Sequence, residues 1–386
     1  MLLERTKAIL AELIAFPTVS SESNLALIEH AGALLREAGA DVRVLADGSG
    51  RKANLFATLG PGLENGVVLS GHSDVVPVEG QDWTSDPFTM REDAGLLYGR
   101  GACDMKGFIA ACLAMAPVFA ERNLTRPLHF AFTYDEEVGC LGARALVKDL
   151  AALGIRPSAV IIGEPTDMRI IEGHKGCFEY TTRFTGSGGH ASQPDAGVNA
   201  IEFAMRYLER LLSLREPLKA RAPAGSRFEP PWTTLQAGAI SGGPARNVVA
   251  SECLIDWEMR PVTASDADFV KADIAGYVDD VLRPAMHRID PTCEIVTHVV
   301  GEVEGLEPVD TCEALRIARA LTGRNETDVV SFGTEAGLFQ TAGISAVVCG
   351  PGSIAQAHKP DEFISIDQLD QCLGMLRRLA DRLSVP

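Results

Sequence analysis

Residues 129–143 read HFAFTYDEEVGCLGA. The apolar run His129–Tyr134 breaks off at three consecutive carboxylates, Asp135-Glu136-Glu137, and a helical pattern takes over from Gly142. An apolar run of strand length that feeds a helix belongs to a parallel, two-sided α/β sheet. The same alternation extends in both directions. Strand-like runs fall at Val42–Leu45, Asn54–Leu59, Val67–Ser70 and Ala159–Gly163, and helical patterns at Met105–Arg122 and Gly142–Leu153 separate Val67–Ser70, His129–Tyr134 and Ala159–Gly163 from one another. Upstream lie two amphipathic helices, Met1–Phe16 and Leu25–Ala38.

Past residue 176 the rhythm changes. A strand at Glu179–Thr185, a helix at Val198–Leu214, strands at Thr233–Ile240 and Val248–Arg260, a helix at Ala264–Arg288 and a strand at Cys293–Gly301 follow one another. That β-α-β-β-α-β order is the ferredoxin-like split unit, complete in itself. Alternation then resumes with a helix at Cys312–Leu321, a strand at Ala346–Cys349 and a helix at Leu369–Leu383. The expected architecture is therefore a mixed, mainly parallel α/β domain formed by 1–176 plus 304–386. Residues 177–303 form an inserted ferredoxin-like α+β domain.

Composition narrows the function classes. Over 386 residues, 35 Lys+Arg against 52 Asp+Glu leave a net charge of −17, which argues against nucleic acid or an anionic membrane as partner. Nine scattered cysteines without a CxxC pair suit reduced thiols and a cytoplasmic protein, not a disulfide framework. The first helix has no signal-peptide character and no stretch is apolar enough to span a bilayer.

Open α/β sheets present ligands at the carboxyl ends of their strands. At five such places this sequence carries metal-ligating side chains. His72 and Asp74 follow Val67–Ser70, where the carboxylate can take the second ring N–H of the imidazole. Asp104 sits in the glycine-rich turn that opens a helix. Asp135-Glu136-Glu137 and Glu164 follow the next two strands, and His358 lies in a Gly/Pro-rich loop after Ala346–Cys349. Imidazole with carboxylate and no thiolate suits Zn²⁺, Co²⁺ or Mn²⁺ in an open site. The number of ligands fits two ions sharing a bridging carboxylate, with one glutamate left over as a base.

These segments resemble the zinc-dependent aminoacylase and carboxypeptidase family, and within it the acetylornithine deacetylase group. The resemblance is carried by GRGACDMKG (99–107), DEEVGCLGA (135–143), GEPT (163–166), HKG (174–176), FGTEAGLFQ (332–340) and CGPGSIAQAHKPDE (349–362). It implies two divalent ions, Zn²⁺ or Co²⁺, bridged by Asp104. His72 and Glu164 would complete one site, and Glu137 and His358 the other. Glu136 would be general base and acid, and Asp74 would orient His72. It also implies that the inserted domain is a lid and homodimer contact. From that domain His190 would stabilise the oxyanion, while Asn247 and Arg260 would meet the substrate carboxylate. Arg260 could instead pair with Asp256 or Glu258.

The activity so implied is hydrolysis of an N-acyl amino acid, first of all N2-acetyl-L-ornithine, as a step of arginine biosynthesis. Glu335 is a candidate partner for the cationic side-chain amine, or else a first-turn helix carboxylate. A desuccinylase of succinyl-diaminopimelate, or a broad N-acyl-amino-acid hydrolase or dipeptidase, would use the same machinery. A non-catalytic metal-binding or scaffolding protein would have no use for an unligated glutamate beside the ions. Cys103 flanks Asp104 as a further possible ligand or as a buried structural thiol.

Overall fold

The computed structural model describes residues 1–309 and 312–384 and divides into two compact units. The first comprises 1–173, 308–329 and 334–386, and the second 174–307 and 330–333.

The first unit is built on an eight-stranded sheet. Its order is Asp41–Ala46, Ala53–Leu59, Leu128–Thr133, Val67–His72, Ala159–Pro165, Ser345–Gly350, Ile171–His174 and Asp328–Val330. The four strands from Leu128–Thr133 to Ser345–Gly350 are parallel to their neighbours, and antiparallel strands flank them. Alternate side chains of these strands (Leu55, Leu69, Phe130, Ile161 and Val347) enter one core with helices Leu2–Ile14, Leu25–Glu37, Lys106–Ala120, Glu313–Thr322 and Ile366–Leu383. Lys106–Ala120 is buried on nearly every side, which is why its sequence is apolar all round instead of striped. Strand residues of the opposite parity, among them Val68, Ser70, Ala131, Thr133 and Val160, are buried as well. Both faces of the sheet are thus covered, as the uninterrupted apolar runs require.

Close approach fixes one glycine in this layer. A Cβ on Gly163 would meet the Phe108 ring at 2.0 Å, so only glycine lets helix Lys106–Ala120 lie this near the strand that delivers Glu164.

The second unit is a four-stranded antiparallel sheet ordered Thr234–Gly242, Glu252–Arg260, Cys177–Thr185 and Glu294–Val303. Counted along the chain this is the 2-3-1-4 order of the split β-α-β fold. Tyr180, Phe184, Ile255, Trp257 and Met259 pack against helices Ala200–Ser213 and Ala264–Tyr277, while Glu179, Arg183 and Asp256 face solvent.

Several elements depart from the sequence reading. Val248–Arg260 is two strands, because Ala250 and Ser251 give their carbonyls to Ala200 and Gly186 instead of a sheet neighbour. Val248–Val249 instead forms a separate ladder with Gly189–His190. The long helix from Ala264 widens into a π-turn at Val278–Leu282 before Arg283–His287. Pro284, which has no N–H to donate, lies just beyond that turn, where a regular ladder would need one. The short strands Arg91–Asp93, Leu96–Tyr98 and Phe363–Ser365 also form a small sheet that the sequence did not announce. All nine cysteines are free, and no described helix is long and apolar enough to cross a membrane.

Candidate active site

His72 is the last residue of Val67–His72, a strand buried at all six positions. Its Nδ1 lies 2.9 Å from the backbone carbonyl of Asp74. A carbonyl only accepts, so Nδ1 carries the proton and Nε2 is left to ligate. The Asp74 carboxylate stands farther off, at 3.7 Å from Nδ1. Its Oδ1 instead accepts the Glu136 N–H at 3.1 Å, and its Oδ2 accepts the Ser20 hydroxyl at 2.7 Å and the Glu137 N–H at 3.4 Å. The expected orienting role of Asp74 is corrected accordingly: its main chain orients His72, and its side chain holds the loop after Leu128–Thr133.

Asp104 divides its oxygens between two imidazoles. Oδ1 is 3.0 Å from His72 Nε2 and Oδ2 is 3.3 Å from His358 Nε2. Glu164 Oε1 lies 3.7 Å from His72 Nε2, and Glu137 Oε2 lies 3.1 Å from His358 Nε2. Two donor groups result, His72–Asp104–Glu164 and Asp104–Glu137–His358, each with its ligand atoms within 4.8 Å of one another and both containing Asp104.

The donor chemistry fits divalent cations. Glu164 is 5% exposed, and its Oε1 is buried without a hydrogen-bond partner. An anionic oxygen left so is costly unless a cation meets it. Without one, burial and then the Asp104 charge push the Glu164 and Glu137 carboxyls above their usual values. His358 is drawn up to about 10 by its hydrogen bonds to Asp104 and Glu137. Burial lowers the tendency of His72 to protonate, but Glu164 and Asp104 outweigh it and raise its pKa well above normal. The cluster thus calls for positive charge, which two divalent ions would supply in place of protons.

Glu136 belongs to neither donor group. Cys140 Sγ donates to its Oε1 at 3.4 Å, and burial raises its pKa. The third carboxylate of the run, Asp135, is neutralised by a short ion pair with Lys52. Cys103 also stands outside both groups, buried, with its thiol donating to the Ser353 carbonyl at 3.3 Å.

Glu335 is 1% exposed, stands at the N-cap of helix Ala336–Thr341 and accepts the hydroxyls of Ser70 and Thr133, which fits the helix-start carboxylate of its two sequence readings better than a partner for a substrate amine. The remaining candidates lie in the second unit. His190 and Asn247 are exposed neighbours: Gly189–His190 pairs with Val248–Val249, and the Ala191 N–H donates to the Asn247 carbonyl at 3.2 Å. His190 Nδ1 is 2.7 Å from Ser192 Oγ. Arg260 donates to Glu258 Oε2 at 2.9 Å, the second of the two pairings open to it from sequence.

One pair of functional interest escaped the sequence reading. Arg100 and Glu362 form a fully buried ion pair at 2.8 Å. Glu362 also accepts the N–H groups of Gly101, Cys103 and Asp104. The two residues lie in the motifs GRGACDMKG and CGPGSIAQAHKPDE, but nothing local joins positions 262 residues apart.

A model of peptidase family M20/M25/M40 matches residues 68–382. The chain belongs to this family. This M20 chain is accordingly a metal-dependent hydrolase. It is 36% identical over 359 residues to an acetylornithine deacetylase of Salmonella typhimurium, covering 91% of each chain. It is 35% identical over 374 residues to that of Pasteurella multocida, covering 95% of each. Among solved structures it shares its fold with a tripeptidase of Staphylococcus aureus, at TM-score 0.74 and 21% identity over 99% of this chain and 98% of that one. An M20 family metallo-carboxypeptidase of Sulfolobus solfataricus superposes at TM-score 0.73 and 17% identity, over 98% of each chain.

Proposed function

We propose that the protein hydrolyses N2-acetyl-L-ornithine to acetate and L-ornithine. The observation that carries this reading is the pair of donor groups sharing Asp104, with Glu136 beside them and bound to neither. The acetylornithine deacetylases that resemble the chain over nearly its whole length support the choice of substrate.

In this reading His72, Asp104 and Glu164 hold one Zn²⁺ or Co²⁺ ion, and Asp104, Glu137 and His358 the other. When bound, such a pair supplies Lewis acidity, bringing water ionisation toward neutral pH and polarising the acyl oxygen. Glu136 takes the proton from the attacking water and returns it to the departing α-amine, so one carboxylate serves both halves of the reaction. Asp74 holds the Glu136 backbone in place through the bond at 3.1 Å. With Nδ1 engaged by Ser192, His190 has Nε2 to offer to the developing oxyanion. Asn247 and Arg260 serve the substrate carboxylate, Arg260 by exchanging Glu258 for it.

Acetate release from acetylornithine, measured with and without chelator, tests this directly. Activity should vanish on chelation and return with Zn²⁺ or Co²⁺, and acetylornithine should be turned over faster than succinyl-diaminopimelate or acetylmethionine. Activity that survives full metal removal would end the two-ion reading, and preference for the succinyl substrate would replace the deacetylase by its desuccinylase rival.

We further propose a homodimer formed through the second unit. Glu294–Val303 is an edge strand of its sheet and carries Val299 and Val300 at 60% and 59% exposure, an apolar edge that a free monomer would leave open to association. Sedimentation equilibrium should give twice the chain mass, falling toward the monomer when both valines are replaced by lysine. A monomeric wild type would refute it.

A further inference from the structure

Glu335 heads the short helix Ala336–Thr341, just after the segment 330–333 that packs with the second unit. Its Oε1 takes the Ser70 hydroxyl and its Oε2 takes that of Thr133 at 2.8 Å. Ser70 and Thr133 lie on the adjacent parallel strands Val67–His72 and Leu128–Thr133, whose register sets Ser70 opposite Ala131 and His72 opposite Thr133. One carboxylate therefore spans two strand ends. Ser70 is two residues before His72, and Thr133 is three before Glu136 and four before Glu137.

We propose that Glu335 is a positioning residue that clamps the strand end bearing His72 to the strand end bearing Glu136 and Glu137, and so fixes the spacing between the two donor groups and the base. The inference rests on the two-ion reading above. The ladder between these parallel strands runs up to the His72–Thr133 pair, and a charge-assisted bridge between hydroxyls on both strands adds a side-chain tie at the end from which the ligands depart. The carboxylate accepts both bonds and is 1% exposed, so the contacts it makes lie within the protein. Ligand supports of this kind, when removed, cost roughly 10–100-fold in metal affinity or activity.

The test compares wild type, Glu335→Gln and Glu335→Ala by titration with Co²⁺, reading the visible absorption of the bound ion, together with Tm, kcat and KM. Glu335→Ala should weaken Co²⁺ binding by roughly 10–100-fold, alter the cobalt spectrum, and lower kcat while KM for acetylornithine stays near its wild-type value. Glu335→Gln should recover most of both, because the amide still accepts one hydroxyl and donates to the other, which can rotate to receive it. If Glu335→Ala does not fold, Ser70→Ala with Thr133→Val removes the same bridge from its other side and should reproduce the cobalt phenotype. A wild-type cobalt spectrum, affinity and kcat in the variants, or a loss confined to Tm, would overturn the proposal. So would a rise in KM for acetylornithine without one for acetylmethionine, which would return Glu335 to substrate recognition. Because Co²⁺ binding is read without substrate, failure of the deacetylase reading would appear separately, as a wild type that binds cobalt but releases no acetate.

Discussion

Glu136→Gln is expected to lower kcat by about 10²–10⁴-fold, the usual contribution of a positioned general acid–base, while both ions stay bound. The expectation follows from where Glu136 stands. It is adjacent in sequence to Glu137, yet Glu137 Oε2 lies 3.1 Å from His358 Nε2 while Glu136 enters neither donor group. The Asp74 carboxylate fixes both backbone N–H groups and so sets which of the two side chains faces the ions. Glutamine keeps the size and the hydrogen bond from Cys140 but cannot take a proton, so binding survives and proton transfer does not. Metal analysis of the purified variant should return the wild-type stoichiometry, and KM should shift little. Glu137→Gln should do the reverse and lose metal before rate is measured at saturating ion. A Glu136→Gln enzyme with kcat within a few-fold of wild type would remove Glu136 from the chemistry.

The contrast between these neighbours marks how far sequence reading reaches. Strand ends were legible because a strand buried on both faces must be apolar throughout, so the first charged residue after it announces the edge: His72, Asp135 and Glu164 were all found that way. That Glu137 turns to His358 came only with the family resemblance, and that Asp135 turns to Lys52 was not legible at all, because three consecutive carboxylates look alike until a loop conformation separates them. Glu335 stayed open between a substrate-amine partner and a helix-start carboxylate for a related reason: only the fold reveals the hydroxyls of Ser70 and Thr133 beside it. Asp74 was assigned to the right neighbourhood but the wrong atom, since the main chain and side chain of one residue compete for the same imidazole. The inserted unit was read correctly as a split fold because alternation of Tyr180, Phe184 and their neighbours has period two, whereas the break after Val249 carries no compositional mark.

Glu362→Ala is expected to destabilise the first unit by about 3–5 kcal/mol, the cost of leaving a buried charge without its partner. Arg100 and Glu362 are each 1% exposed, so neither can turn to water when the other is removed. The carboxylate also accepts three backbone N–H groups, from Gly101 at 3.0 Å, Cys103 at 2.9 Å and Asp104 at 3.0 Å. Those bonds shape the turn that presents Asp104. Arg100 continues the network, donating to Gln81 and to the Lys359 carbonyl at 3.3 Å, while Gln81 donates to the His358 carbonyl at 3.1 Å. One buried pair thus ties the turn bearing the shared ligand to the loop bearing the second imidazole, and losing it should cost metal affinity as well as stability. Arg100→Met should cost less, because Glu362 keeps its three N–H partners. Arg100→Met combined with Glu362→Gln should recover part of the loss seen in Glu362→Ala, since no unpaired charge is then left inside. Thermal unfolding of the chelated protein separates the fold from the ions, and cobalt titration reads the site. An unchanged Tm in Glu362→Ala would mean that water reaches Arg100 after all, and with it the premise that the two loops are locked together through a dry contact would fall.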